Sequence, residues 1–99
     1  MNADLTRGRD MLERDITIIN KLGLHARAAA KLVNTASAHA AEVLIRKNGQ
    51  EVNGKSIMGV MMLAASQGTQ IQLRISGEDE QAAMQALVEL IDNRFGEGE

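Results

Sequence analysis

The chain has 99 residues, enough for one hydrophobic core and too few for two independent ones. Apolar residues make up 44% and charged residues 24%, a globular balance, and the absence of cysteine excludes disulfides and thiolate metal sites. A net charge of −2, a pI of about 5.7 and a single aromatic residue, Phe95, argue against nucleic-acid binding, which calls for a basic surface or stacking rings.

Residues 1–12 are polar and without period, which predicts a flexible N-terminal extension. They carry no apolar run of the signal-peptide kind, and no segment reaches the ~20 apolar residues of a membrane span. A soluble cytoplasmic protein is expected. Asp15-Ile16-Thr17-Ile18-Ile19 alternates and is β-branched, which predicts a strand. Asn20 to Leu24 breaks it. Ala29, Leu32, Val33, Ala36 and Ala40 then recur at the spacing of one helix face, predicting a helix over 26–37. Val43 to Lys47 reads as a second strand, Asn48-Gly49 as a tight hairpin turn, and Glu51-Val52 as a short third strand. Ser56 is a good helix cap before an apolar helix over Ile57–Ala65. Gln70 to Ile75 alternates strictly, as a strand wet on one face does. Carboxylates at Glu78, Asp79 and Glu80 favour a helix start, and the helix is expected to run to about Arg94. Gly96-Glu97-Gly98-Glu99 reads as a flexible tail.

The element order is βαββαβα. It predicts an α+β, open-faced β-sandwich: a four-stranded antiparallel sheet with three helices on one side.

His25 stands where the first loop meets the first helix. The opening turn of a helix carries N–H groups without intrahelical partners and the positive end of the dipole, a ready site for phosphate. Arg27 adds a permanent cation that can fork onto phosphate oxygens. A neutral imidazole in these positive surroundings keeps a lone pair with which to act as a nucleophile. The alternative is a helix-terminal polar residue with no chemistry. A metal site is not expected: His39, the only other histidine, falls past the far end of the same helix, and no carboxylates complete a ligand set.

The helix after Ser56 is apolar nearly all round. With Val60, Leu63 and Ala64 turned inward, Met58, Met61, Met62 and Ala65 are left outside, which suggests a protein-docking surface. The alternative is a helix buried on every side. Phosphorylation of Ser56 would place about −1.5 to −2 charges beside that patch.

Asn20-Lys21-Leu22-Gly23-Leu24-His25-Ala26-Arg27 resembles the active-site signature of HPr, the histidine-containing phosphocarrier family of the bacterial phosphotransferase system. Gly54-Lys55-Ser56-Ile57-Met58-Gly59-Val60-Met61 resembles its regulatory-serine segment, and the element order agrees. The resemblance covers residues 13 to 95. It implies a carrier rather than an enzyme, with His25 phosphorylated on Nδ1 by enzyme I, Arg27 stabilising the phosphate, and delivery to an EIIA-type protein. It implies phosphorylation of Ser56 by an HPr kinase/phosphorylase. It also implies a partner surface that includes Ile57, Met58, Met61, Met62 and Ala65. No cofactor, no metal, no nucleic acid and no membrane insertion are implied, and a monomer is expected. The chain departs from the family at Ala28, where proline commonly follows the active-site arginine; alanine is compatible with the same first-turn conformation. Arg14 to Gly23 and the Phe95 tail are similar to the nitrogen-related branch, NPr, whereas the Ser56 segment is similar to kinase-regulated HPr proteins. Two other functions compete with the carrier: a regulatory binding protein controlled at Ser56, and a small RNA-binding domain disfavoured by charge and composition.

Overall fold

Residues 11–99 are described by a computed structural model; residues 1–10, most of the expected extension, lie outside the described part. The strands are β1 (Leu12–Thr17), β2 (Glu42–Lys47), β3 (Gln50–Asn53) and β4 (Gln70–Ser76). The helices are α1 (Ala26–Ser37), α2 (Ile57–Met62) and α3 (Glu80–Asp92), and a 3-10 turn at Arg94–Gly96 follows. The four strands form one antiparallel sheet in the order β1-β4-β2-β3.

Central β4 shows why the sheet has one dry face. Ile71, Leu73 and Ile75 are buried while Gln72 and Arg74, between them, are half-buried. Register places Ile75 opposite Val43 and Leu73 opposite Ile45, so the apolar sets of neighbouring strands coincide. Onto this face α1 brings Ala28, Ala29, Leu32, Val33 and Ala36, and α3 brings Ala83, Met84, Leu87 and Ile91. Val60 of α2 joins the same core. Each large aliphatic side chain buried this way contributes about 1.5–3 kcal/mol. On the open face Arg74 donates to Glu13 at 3.0 Å and Glu51 at 2.7 Å, joining three strands with charge.

The expected order holds throughout, with three local differences. β1 starts at Leu12, before the apolar alternation, and Leu12 pairs with Ile75 and packs against the core. Leu12 is therefore part of the domain rather than of a flexible extension. Glu13, Arg14 and Asp15 are exposed on an edge strand, where charge is tolerated and discourages further pairing. The hairpin turn is as read, with positive φ at both Asn48 and Gly49. α2 is shorter than predicted, because Ala64 takes a φ of 51° and the chain leaves the helical path. α3 stops at Asp92, before the expected Arg94: Arg94 and Phe95 both adopt left-handed backbone, φ 54° and 55°. Such residues cost about 1–3 kcal/mol each. Full burial of the Phe95 ring offsets that cost and turns the last residues back over the start of α1.

Candidate functional site

The loop before α1 is held from below. Gly23 has a φ of 66°, and a Cβ there would lie 2.6 Å from the Ala65 carbonyl oxygen and 2.8 Å from Ser66 Cα. Only glycine allows both the turn and this approach. The next residue, Leu24, donates its N–H to the same Ala65 oxygen at 2.8 Å and buries its side chain. The segment carrying His25 and the segment leaving α2 are thus pinned to each other.

His25 follows as the N-cap of α1, with extended backbone (φ −73°, ψ 177°). Its carbonyl accepts from Ala29 N–H at 2.8 Å, but its side chain makes no capping hydrogen bond. Among the described residues, nothing accepts the N–H groups of Ala26, Arg27 and Ala28. The start of α1 therefore presents free donors at the positive end of the dipole. Arg27 is exposed and forms no ion pair with a described carboxylate. It lines, with His25, Lys21 and Lys31, an open pocket of about 740 Å³. Three cations, free amides and an imidazole make this a place for an anion next to a nucleophile.

The sequence predicts positive surroundings, but two carboxylates, Glu97 and Glu99, line the same pocket, and Glu99 lies 3.4 Å from Lys21 Nζ. Glu97, in the segment expected to be a flexible tail, lies against the imidazole: its Oε2 is 2.5 Å from His25 Nε2. Its Oε1 accepts from Asn20 Nδ2 at 3.0 Å. Asn20 is fully buried and donates also to the Gly23 carbonyl at 2.8 Å, while its own Oδ1 has no partner among the described residues. Lys31 anchors the turn by donating to the Phe95 carbonyl at 2.6 Å, and Lys21 N–H donates to the Glu99 carbonyl at 3.0 Å. Burial alone pushes the Glu97 carboxyl up. The hydrogen bonds from His25 and Asn20, with the charge of Lys31 nearby, bring it net below the ordinary carboxylate value. Glu97 is therefore a carboxylate at neutral pH. Sequence inspection missed Glu97, Asn20 and Lys31 as site members; the contact between Asn20 and Glu97 spans 77 residues.

Ser56 caps α2 as expected, its Oγ accepting from Gly59 N–H at 3.0 Å. At the other end Lys47 Nζ donates to the Leu63 carbonyl at 2.7 Å. Of the residues assigned to the docking surface, Ile57, Met58, Met61 and Met62 are exposed, Met58 most of all at 74%. Ala65 is a correction: it is 3% exposed, and Ala64 stands outside in its place. The left-handed Ala64 reverses the helical alternation, so the two alanines exchange faces. Leu22, 66% exposed, adds apolar surface at the His25 pocket. His39 is half-buried, its Nδ1 2.9 Å from the Thr35 carbonyl, away from His25.

Residues 12–93 match the family model described as the PTS HPr component phosphorylation site. The chain belongs to the HPr family. An HPr-family chain is a phosphocarrier of the phosphotransferase system rather than a catalyst. It is 63% identical over 87 residues to the phosphocarrier protein HPr of Xylella fastidiosa, a match covering 88% of this chain and 98% of that protein. The phosphocarrier protein NPr of Shewanella violacea is 44% identical, covering 87% and 94% respectively. A crystal structure of HPr from Thermoanaerobacter tengcongensis superposes with a TM-score of 0.86 at 48% identity, covering 89% of this chain and 99% of that one. No helix among the described residues is long and apolar enough to cross a membrane.

Proposed function

We propose that His25 is the residue that carries the phosphoryl group, accepting it on Nδ1 from phospho-enzyme I, with phosphoenolpyruvate as the ultimate source, and delivering it to an EIIA-type protein. The observation that carries this reading is the uncapped start of α1, where the imidazole, the free amides of Ala26 to Ala28 and the Arg27 guanidinium share one pocket. Arg27 stabilises the bound phosphate, and Ile57, Met58, Met61 and Met62 form the surface on which donor and acceptor dock in turn. Methionines suit a patch that meets several partners, because their side chains re-pack.

Ser56 is the regulatory position, phosphorylated by an HPr kinase/phosphorylase. A phosphate on its Oγ would disturb the bond from Gly59 and set negative charge against the exposed methionines. The greater identity to an HPr than to an NPr protein supports the HPr branch. The carrier acts in the cytoplasm as a monomer.

Incubation with phosphoenolpyruvate and enzyme I is expected to give one acid-labile phosphate per chain, absent from His25→Ala. An adduct that survives that substitution would place the acceptor elsewhere.

A further inference from the structure

Nothing in the composition or the two signature segments assigns a role to the C-terminal residues. Yet Glu97 makes the closest polar contact of the candidate acceptor. An ionised carboxylate only accepts hydrogen bonds. At 2.5 Å, with Glu97 held as a carboxylate, Nε2 must carry the proton. The hydrogen bond made by one ring nitrogen fixes the state of the other. With a proton on Nε2, neutral His25 keeps its lone pair on Nδ1, for which no described group is a partner. Nδ1 is also the ring nitrogen bonded directly to Cγ, hence the nearer of the two to the backbone of the helix start.

We infer that Glu97 is a positioning residue for phosphoryl transfer: it accepts the Nε2 proton of His25, fixes the ring, and leaves Nδ1 as the nucleophile. This rests on the reading of His25 as the acceptor and adds a residue to it. The device is built rather than incidental. Glu97 Oε1 is held by Asn20, which is buried and tied to Gly23, and the turn before it is held by Lys31 on the Phe95 carbonyl. The carboxylate is thus fixed from the same loop that sets His25 in place.

In the step itself, the Nδ1 lone pair forms the new bond to phosphorus. The bond from phosphorus to the donor's leaving atom breaks, and its electron pair goes to the donor. The Nε2 proton stays on the ring throughout. As Nδ1 takes the phosphoryl group the imidazole becomes cationic, and the Glu97 carboxylate lies against the nitrogen that shares that charge. On transfer onward the electron pair of the N–P bond returns to Nδ1.

The test uses the full chain and its Glu97→Ala, Glu97→Gln and Glu97→Asp variants, with thermal melting to confirm the fold. Single-turnover acceptance from phospho-enzyme I is expected to fall about tenfold in the alanine and glutamine variants, the effect of losing one charge-assisted hydrogen bond. Aspartate is expected to recover a large part of the loss. Nitrogen-15 NMR of His25 is expected to show a bonded Nε2 proton shifted to low field in the wild type and not in Glu97→Ala, a signature that a merely structural role would leave in place. Equal or faster acceptance by folded Glu97→Ala, or a wild-type ring with its proton on Nδ1, overturns the role of Glu97. Wild-type acceptance that His25→Ala abolishes keeps the acceptor reading standing in that case. A wild-type chain that takes no phosphate overturns the acceptor reading itself.

Discussion

The starts of α1 and α2 both follow an extended cap residue and are finished in opposite ways. Ser56 closes its own helix by accepting from Gly59, so one of the orphan donors there serves stability. His25 caps α1 only through its backbone, and its ring turns instead to Glu97. The amides of the first turn of α1 stay open. A closed start stabilises the fold, whereas an open one can receive an anion. The start of α3 is a third solution: Asp79 makes no cap of its own and accepts instead from Ala40 N–H at 2.9 Å and Ala41 N–H at 2.8 Å, clamping the loop between α1 and β2.

These differences can be pressed one residue at a time. Gly23→Ala is expected to cost the most, about 2–4 kcal/mol, since the new methyl meets the Ala65 and Ser66 backbone at a left-handed φ. Chemical denaturation measures it, and a loss below about 1 kcal/mol would show that the two helix starts are not rigidly joined. Arg27→Ala is expected to slow phosphoryl acceptance about ten- to a hundredfold, the range for a hydrogen bond to a charged group, with melting almost unchanged. Quench-flow transfer from phospho-enzyme I is the measurement. Ser56→Ala should do the reverse: a loss of about 1 kcal/mol in stability from the missing cap, with a smaller effect on transfer than on melting.

The smallest expected effect is that of Asp79→Asn, and it depends on pH. The Ala40 N–H, helped by Ala41 and opposed by partial burial, holds the Asp79 carboxyl below its ordinary value of 3.8. A depressed carboxyl contributes stability above the unfolded value and loses it as pH falls through the folded one. The wild type should therefore melt above Asp79→Asn near neutral pH. The two should converge as the solution is acidified below 3.8. A difference that persists at low pH would assign the effect to shape rather than charge.

Much of the fold is legible in the residues because period and punctuation agree. The apolar face from Ala29 to Ala36, the Asn48-Gly49 turn and the strict alternation from Gln70 each admit one structure. Where they disagree, packing decides. Glu13 and Arg14 precede the alternating run that reads as a strand, yet they pair in the edge strand because Leu12 on one side and Ile16 on the other reach the core. Ala64 and Ala65 are indistinguishable in composition, and a backbone angle alone sorts them. The candidate site divides the same way. His25, Arg27 and Ser56 are visible because helix starts have local chemistry. Glu97 is invisible because its partner lies 72 residues away and its neighbours Gly96 and Gly98 carry no period.

The pin between Gly23 and Ala65 has one more consequence. With the two segments fixed to one another, a protein seated on Met58 and Met62, as proposed, would meet His25 at a preset offset. On the proposed docking surface the carrier would work as a gauge: donor and acceptor, whatever their own architectures, would each have to hold the reacting group at that one distance from an apolar contact. Exchange between unrelated partners becomes a matter of shared dimension. The dimension is set where a glycine hydrogen replaces a methyl group.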